Sequence, residues 1–107
     1  MEYIKGITNQ MTKKLEVTLI IRKGDDPQNT WGTKNITLEP GQSRDVVLPN
    51  EANPNDLPFL NGLGLRCGML YHEQRVETRG DAFDNLLNTN SKLTIAGLPA
   101  ESIIGSN

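Results

Sequence analysis

The strongest constraint on the fold of this chain is a run of regular apolar and polar alternation at residues 15–22, LEVTLIIR. Leu15, Val17, Leu19 and Ile21 fall on one face of an extended chain, because successive side chains of a strand point to opposite sides. Period-two alternation that is rich in β-branched residues is typical of a strand with one buried face. This run therefore predicts a half-buried strand of a β-sheet.

Other alternating runs are separated by residues that favour turns. The segment KNITLEPGQSRDVVL, residues 34–48, predicts a hairpin with Pro40 and Gly41 at the centre of a type II turn, since Pro fixes φ and Gly accepts a positive φ. Residues 2–7, EYIKGI, predict an edge strand. Residues 91–96, SKLTIA, predict the final strand, with Leu93 and Ile95 turned inward.

A longer alternating segment, GLGLRCGMLYHEQRVET, covers residues 62–78. The alternation leaves open whether this segment is one long bent strand or two strands. Glycines on one face weaken a strand but leave room for a backbone, an aromatic ring or a ligand to approach closely. On an extended chain one face carries Leu63, Leu65, Cys67, Met69 and Tyr71, and the other carries Gly62, Gly64 and Gly68.

Residues 81–88, DAFDNLLN, have the spacing of a helix rather than a strand. Phe83, Leu86 and Leu87 stand at i, i+3 and i+4, which places them on one helical face. Either Asp81 or the glycine before it can cap the first turn. The segment predicts one or two helical turns that pack this face onto the core.

The same stretch contains Arg79-Gly80-Asp81, the tripeptide that some cell-adhesion receptors recognise. A functional copy of that tripeptide needs an exposed and flexible loop tip. Because a helix is predicted to begin at its aspartate, we expect the tripeptide to be a helix start.

These elements amount to about seven short strands, long polar loops and one short helix, which favours an all-β fold. We predict an antiparallel β-sandwich, loosely immunoglobulin-like, with residues 1–107 forming a single domain. A chain of 107 residues can bury a core without covalent cross-links. Cys67 is the only cysteine, so an intramolecular disulfide is excluded.

The charge balance excludes some classes of partner. Eleven basic and 13 acidic side chains give a formal net charge of −2, and the basic residues are scattered. Phosphate contacts need clustered Lys and Arg, so we expect no nucleic-acid partner. No apolar run approaches the roughly 20 residues of a membrane helix, and the first residues lack the apolar core of a signal peptide. The cytoplasm is the default expectation for localisation.

A catalytic constellation is not evident. His72 is the only histidine, and it follows the only thiol, Cys67, by five residues. An odd separation on one strand sends the two side chains to opposite faces, which prevents a Cys–His pair. No nucleophile elbow or phosphate-binding loop occurs. We therefore expect no enzyme, with Cys67 in the core and His72 at the surface.

One His and one Cys are too few soft ligands for a zinc site, whereas calcium needs only oxygen ligands. None of the oxygen-rich segments matches the EF-hand pattern, and turns and caps explain Asp and Asn more simply. We expect no cofactor, with calcium as the alternative. The oxygen-rich segments are Asp25, Asp26 and Asn29; Asn50, Glu51, Asn53, Asn55 and Asp56; and Asp81, Asp84, Asn85, Asn88 and Asn90.

The only tryptophan, Trp31, lies in or near the polar loop of residues 23–32. An aromatic platform flanked by polar groups is the composition of a small sugar-binding surface. Asp25, Asp26, Asn29 and Trp31 are therefore the candidate ligand-binding residues. In the competing interpretation, which we favour, Trp31 fills one end of the sandwich.

The leading hypothesis is a non-catalytic β-sandwich module that acts by protein binding or assembly. Edge strands pair with other chains unless they are protected, so the first strand, EYIKGI, and the tail residues Ile103 and Ile104 are candidates for a homodimer contact. The alternative is a calcium- or carbohydrate-binding surface domain that uses the loops at 23–32 and 50–58.

Overall fold

The computed structural model describes residues 3–23, 30–48, 58–97 and 103–106. These residues form eight strands and one helix. The sequence predicted about seven strands, and the additional strand is formed by the tail at residues 103–106. In chain order the elements are β1 (Tyr3–Asn9), β2 (Leu15–Lys23), β3 (Thr30–Leu38), β4 (Ser43–Leu48), β5 (Pro58–Cys67), β6 (Leu70–Arg75), α1 (Ala82–Asn88), β7 (Lys92–Ile95) and β8 (Ile103–Ser106).

The strands form two sheets of four, with the orders β4-β1-β7-β8 and β3-β2-β5-β6. All neighbours are antiparallel except β1 and β7, which are parallel. The antiparallel-dominated β-sandwich is confirmed, while its loosely immunoglobulin-like character stays a prediction. The expectation of an edge strand at residues 2–7 was wrong, because β1 lies between β4 and β7.

The core lies between the two sheets and contains the inward side chains of both. The predicted inward face of β2 is confirmed, with each of its four residues at most 1% exposed. Ile20, on the opposite face of β2, is buried as well, whereas Glu16 on that face is exposed. The buried aliphatic residues of the other strands are Ile7, Ile36, Leu38, Val46, Leu48, Leu60, Leu63, Leu65, Leu93, Ile95 and Ile103.

The turn after β3 is confirmed, but the predicted hairpin at residues 34–48 was wrong. Gly41 has a φ of 77°, and the N–H of Gln42 donates to the carbonyl of Glu39 at 2.9 Å. However, β3 pairs with β2 and β4 pairs with β1, so the chain crosses here from one sheet to the other. Asn9, which is fully buried on β1, holds this corner because its amide donates to the carbonyl of Leu38 at 3.1 Å.

The segment at residues 62–78 contains a tight hairpin between β5 and β6. Gly68, with a φ of 62°, and Met69 form a two-residue loop that is closed by the pairing of Cys67 with Leu70. Glycine in the first central position is typical of a type II′ hairpin turn. Alternation does not continue through such a reversal, so Met69 and Tyr71 are not on the inward face that the sequence predicted. Cys67 is buried as expected.

The short helix α1 packs against β5 and β8. In chain order it follows β6 of the β3-β2-β5-β6 sheet and precedes β7 of the other sheet. The predicted cap is confirmed, since Oδ1 of Asp81 accepts the N–H of Asp84 at 2.7 Å. Leu87 is fully buried, and Phe83 and Leu86 pack partly against the core. The spacing of these apolar residues therefore identified the correct helical face.

Lys5 of β1 connects the sheet to the end of this helix. Its ammonium donates to the carbonyl of Leu87 at 2.7 Å and to the carbonyl of Asn90. A positive charge near the carbonyls of a helix C-terminus is favourable. Burial nevertheless lowers the pKa of Lys5, because desolvation penalises the charged form.

Candidate functional site

The residues proposed from the sequence as a ligand site are only partly within the described structure. Asp25, Asp26 and Asn29 lie outside the described residues, as does the loop at residues 49–57. Trp31 lies within β3 rather than in a loop, and its side chain is outside what the structure describes. The calcium or carbohydrate site in these loops therefore stays a prediction.

A buried ion pair connects β2 to the helix. Nη1 of Arg22 lies 3.0 Å from Oδ1 of Asp84, and the two side chains are 2% and 8% exposed. The same guanidinium nitrogen donates to Oδ1 of Asn61 at 3.1 Å. The guanidinium carbon of Arg22 also lies 5.4 Å from the centre of the Phe59 ring, within cation–π range. We call Arg22, Asn61, Asp84 and Asn88 the buried polar cluster.

Asn88 completes this cluster and hydrogen-bonds to the first part of β5, which does not pair with β6. Its Nδ2 donates to Oδ1 of Asp84 at 2.8 Å. Its side-chain amide also donates to the carbonyl of Leu60 at 2.9 Å and accepts the N–H of Leu60 at 2.8 Å. The pairing of β6 with β5 begins only at Gly62, so Asn88 takes the place of a neighbouring strand beside Leu60.

The side-chain oxygen atoms of Asp81, Asp84 and Asn88 thus have structural partners. Oδ2 of Asp84 accepts the N–H of Gly80 at 2.8 Å, and Asp81 caps the helix. In the part of the chain that the structure describes, no group of three or more His, Cys, Asp or Glu side chains is placed to hold a metal ion. The interpretation of Asp81 as a cap is confirmed, and the calcium hypothesis for this segment gains no support.

The adhesion-like tripeptide is the start of this helix, as expected. Arg79 and Gly80 are exposed, and Gly80 has a φ of 82°. Oδ2 of Asp81 accepts the N–H of Thr78 at 3.1 Å and the N–H of Glu77 at 3.3 Å. Both oxygen atoms of the Asp81 carboxylate therefore accept hydrogen bonds from backbone N–H groups.

Two aspartates at the helix start have lowered pKa values. The largest effect at Asp81 is the backbone hydrogen bond from Asp84, which lowers its pKa. At Asp84 the largest effect is burial, which raises the pKa. The hydrogen bonds from Gly80, Arg22 and Asn88, with the charge of Arg22, outweigh burial and leave the pKa below the ordinary value of 3.8.

We expect this pair of carboxylates to make the fold sensitive to acid. A carboxylate with a lowered pKa binds fewer protons in the folded state, so its stabilisation is present above about pH 4 to 5 and is lost as the pH falls through the folded pKa. Urea denaturation at a series of pH values from about 6 to about 2 should show this loss. The folded Asp84→Asn variant should lose less stability over that range, and an identical pH profile would contradict the assignment.

The edge of the second sheet presents an uncovered apolar tip. Among the described strands β6 has one neighbour, β5, so half of its backbone hydrogen-bonding groups face away from this sheet. Met69, Leu70 and Tyr71 are 98%, 67% and 48% exposed. Beside this tip lies a groove of about 510 Å³ whose lining includes Lys13 and Lys14. We call β6 together with its turn at residues 68–69 the β6 edge.

A second groove, of about 490 Å³, lies between the other end of β6 and the start of α1. Three of the four charged side chains that line this groove are acidic, and its lining also includes apolar side chains. Strand β6 contributes Glu73, Gln74 and Arg75 to the lining. The segment before the helix contributes Glu77 and Asp81, and the first turn of α1 contributes Ala82 and Phe83. The β6 edge therefore runs from a basic end at the tip to an acidic end at the helix.

The outer face of this sheet carries an aromatic ring above a glycine. A Cβ atom at Gly64 would come within 2.7 Å of the Tyr71 hydroxyl, which confirms that the glycine face admits an aromatic ring. The guanidinium of Arg66 lies 4.9 Å from the centre of the Tyr71 ring. The Tyr71 hydroxyl donates to Oε1 of Glu73 at 2.8 Å, and this hydrogen bond raises the pKa of Tyr71.

Sequence reasoning missed both the β6 edge and the buried polar cluster. The β6 edge could have been found from Gly68, a single glycine between two alternating runs. A glycine at the first position of a two-residue loop is a signal for a β-hairpin. The signal for the buried polar cluster was weaker, namely Arg22 at the end of the most apolar strand. Its partner, Asp84, could not be identified without the tertiary structure.

None of the described helices is long and apolar enough to cross a membrane. Comparison with known proteins found no protein-family model that matches the chain and no significantly similar curated protein or solved structure. Function therefore has to be inferred from the residues of the molecule itself.

Proposed function

We propose that this protein is a non-catalytic β-sandwich module that binds protein through the β6 edge. The observation that carries this proposal is a strand that has one neighbour among the described strands, begins at an apolar tip and lies between two grooves. An exposed edge can accept an extended segment as an additional strand, with main-chain hydrogen bonds providing affinity and flanking pockets providing specificity.

The exposed side chains support this interpretation. Isolated apolar residues are common on protein surfaces, but three in succession at a strand tip form a patch that association would cover. Met69 has a flexible side chain that can adapt to different partners. Lys13, Lys14 and Arg66 border the patch and would favour acidic residues in the bound segment.

The burial of the only thiol supports a non-catalytic role. Cys67 is buried, with its side chain in the core cluster. The hairpin turns the chain back after Cys67, so His72, opposite Leu65, lies on the same face as Cys67, opposite Leu70, and the opposite faces predicted for one continuous strand were wrong. A nucleophile has to be accessible to its substrate, and the burial of Cys67 argues against that role.

Selection of displayed peptides against the purified protein, followed by amide NMR, tests the proposal. Bound peptides should shift the amide resonances of β6 and leave those of the opposite edge strand, β3, in place. Because Leu70 forms the closing pair of the hairpin, Tyr71, Glu73 and Arg75 should direct their N–H groups outward. Glu73→Pro should then weaken binding by about tenfold or more, since it removes one outward donor.

Glu73→Ala is the matched control, because it removes the same carboxylate and keeps the N–H. An edge strand tolerates a proline whose missing N–H would face solvent, and thermal melting checks that the variant folds. Peptides that bind with equal affinity to the Pro and Ala variants would contradict binding by strand addition. Peptides that shift only resonances distant from β6 would contradict the site.

Carbohydrate binding is the second candidate, supported by the outer face of the same sheet. A shallow trough of about 420 Å³ runs beside Tyr71 and is lined by polar side chains that include Thr18, Asn35 and Arg66. Titration with neutral oligosaccharides would shift the Thr18 and Asn35 resonances in this case, and Tyr71→Ala would abolish the shift. No change at millimolar sugar would remove this candidate.

A further inference from the structure

We propose that the segment bound at the β6 edge belongs to a second copy of this chain, with the two β6 strands paired antiparallel about a two-fold axis. This inference rests on the proposed function and names its partner. The resulting interface would join the β3-β2-β5-β6 sheets of the two copies into one continuous sheet of eight strands.

The net charges near the two ends of the β6 edge are complementary. Lys13 and Lys14, with Arg66 and Glu16, line the groove beside the tip, where β2 begins on the far side of β5 from β6. Glu77 and Asp81, with Glu73 and Arg75, line the groove at the helix. Antiparallel pairing brings the tip of one copy toward the helix end of the other, and because the axis is two-fold, this attraction between a net basic and a net acidic end occurs twice.

The apolar groups at the two ends are complementary as well. Met69 and Leu70 project from the tip, where they are 98% and 67% exposed. The groove at the helix end is lined by Ala82 and by the partly buried Phe83. Antiparallel pairing therefore gives each exposed tip an apolar surface of the second copy to contact.

Strand register agrees with this arrangement. A two-fold axis perpendicular to the sheet pairs residues that point to the same face. With the axis at Gln74, Glu73 faces Arg75 of the second copy, which repeats between copies the contact of 3.1 Å that these residues make within one chain. The same register places Leu70 opposite Thr78 of the second copy, at the entrance to the acidic groove.

The other candidate contacts are weaker. Strand β1, which the sequence offered as a dimer contact, has a neighbour on each side and no free edge. Strand β8 has a free edge and an exposed Ile104, but its residues 103–106 carry no charged side chain. The β6 edge, in contrast, combines a free strand with ends of opposite net charge.

Light scattering after size exclusion, over a series of protein concentrations, tests the inference. We expect the mass to rise from 11.8 kDa toward twice that value as concentration increases. Lys13→Glu/Lys14→Glu and Glu77→Lys should each weaken self-association by about tenfold or more, because each brings like charges together. An equimolar mixture of the two variants should associate again, since each altered end then meets an end of opposite charge.

The outcomes separate this inference from the proposed function. A wild-type chain that remains at 11.8 kDa at about 1 mM overturns the inference, while peptide capture at β6 would keep the proposed function. A dimer that neither the charge variants nor Glu73→Pro weaken also overturns it, and loss of that dimer in Ile104→Lys would place the contact at β8. Because the charge variants are at exposed positions, their result does not depend on whether the proline variant folds.

Discussion

Replacing Asp84 with alanine should lower the free energy of unfolding by about 3–5 kcal/mol. The substitution removes the carboxylate that lies 3.0 Å from the buried guanidinium of Arg22, and breaking a buried ion pair by removing one partner is strongly destabilising. It also removes the acceptor of the Gly80 N–H and of the Asn88 amide. Urea denaturation at neutral pH measures the change.

Glu16→Ala is the control for this prediction. Glu16 lies 3.9 Å from Arg66, but both side chains are about half exposed, so the loss should stay below about 1 kcal/mol. The double variant Arg22→Met/Asp84→Leu should be less destabilised than Asp84→Ala, because it removes both members of the buried ion pair. A loss below about 1 kcal/mol for Asp84→Ala would show that the pair is not a principal contact between β2 and the helix.

Replacing Leu19 with alanine should cost about 2–5 kcal/mol, through the lost burial of the side chain and the cavity that remains. Leu19 is fully buried at the centre of β2, opposite Leu63 on β5 and Lys34 on β3. Strands on both sides hold the backbone there, which limits how far the site can collapse. Chemical denaturation with a two-state fit provides the measurement.

Thr37→Ala is the matched control, since Thr37 is exposed on β3 in the same sheet and should change stability by less than about 0.5 kcal/mol. A Leu19→Ala protein that melts like the wild type would contradict the placement of β2 at the centre of the core. A Thr37→Ala loss as large as that of Leu19→Ala would indicate that the sheet responds to any substitution.

Several elements were predictable because their signals are local. The alternation at residues 15–22 identified the buried face of β2, and the helical spacing at residues 81–88 identified the buried face of α1. Asp81 as the helix cap and Gly41 with a positive φ followed from the conformations that these residue types adopt most easily. Each depends on neighbours within a few positions of the chain.

Other features depended on which segments meet in space. The turn at Gly41 was recognised, but turn chemistry does not determine whether the next strand pairs with the previous one or joins the facing sheet. The letter pattern of residues 62–78 left open one strand or two, and the reversal at Gly68 changes the face on which Met69 and Tyr71 lie. The first error concerned strand partners and the second concerned the direction of side chains, while the strands themselves were predicted.

The sequence by itself determined that this chain forms a β-sandwich with one capped helix, because periodicity and turn residues act over short stretches of backbone. Only the tertiary structure decided that β1 is central, that Arg22 and Asp84 form a buried pair, and that β6 is left with a free edge. These features depend on contacts between residues distant along the chain. Their stability comes from burial and pairing that form only when the sheets assemble.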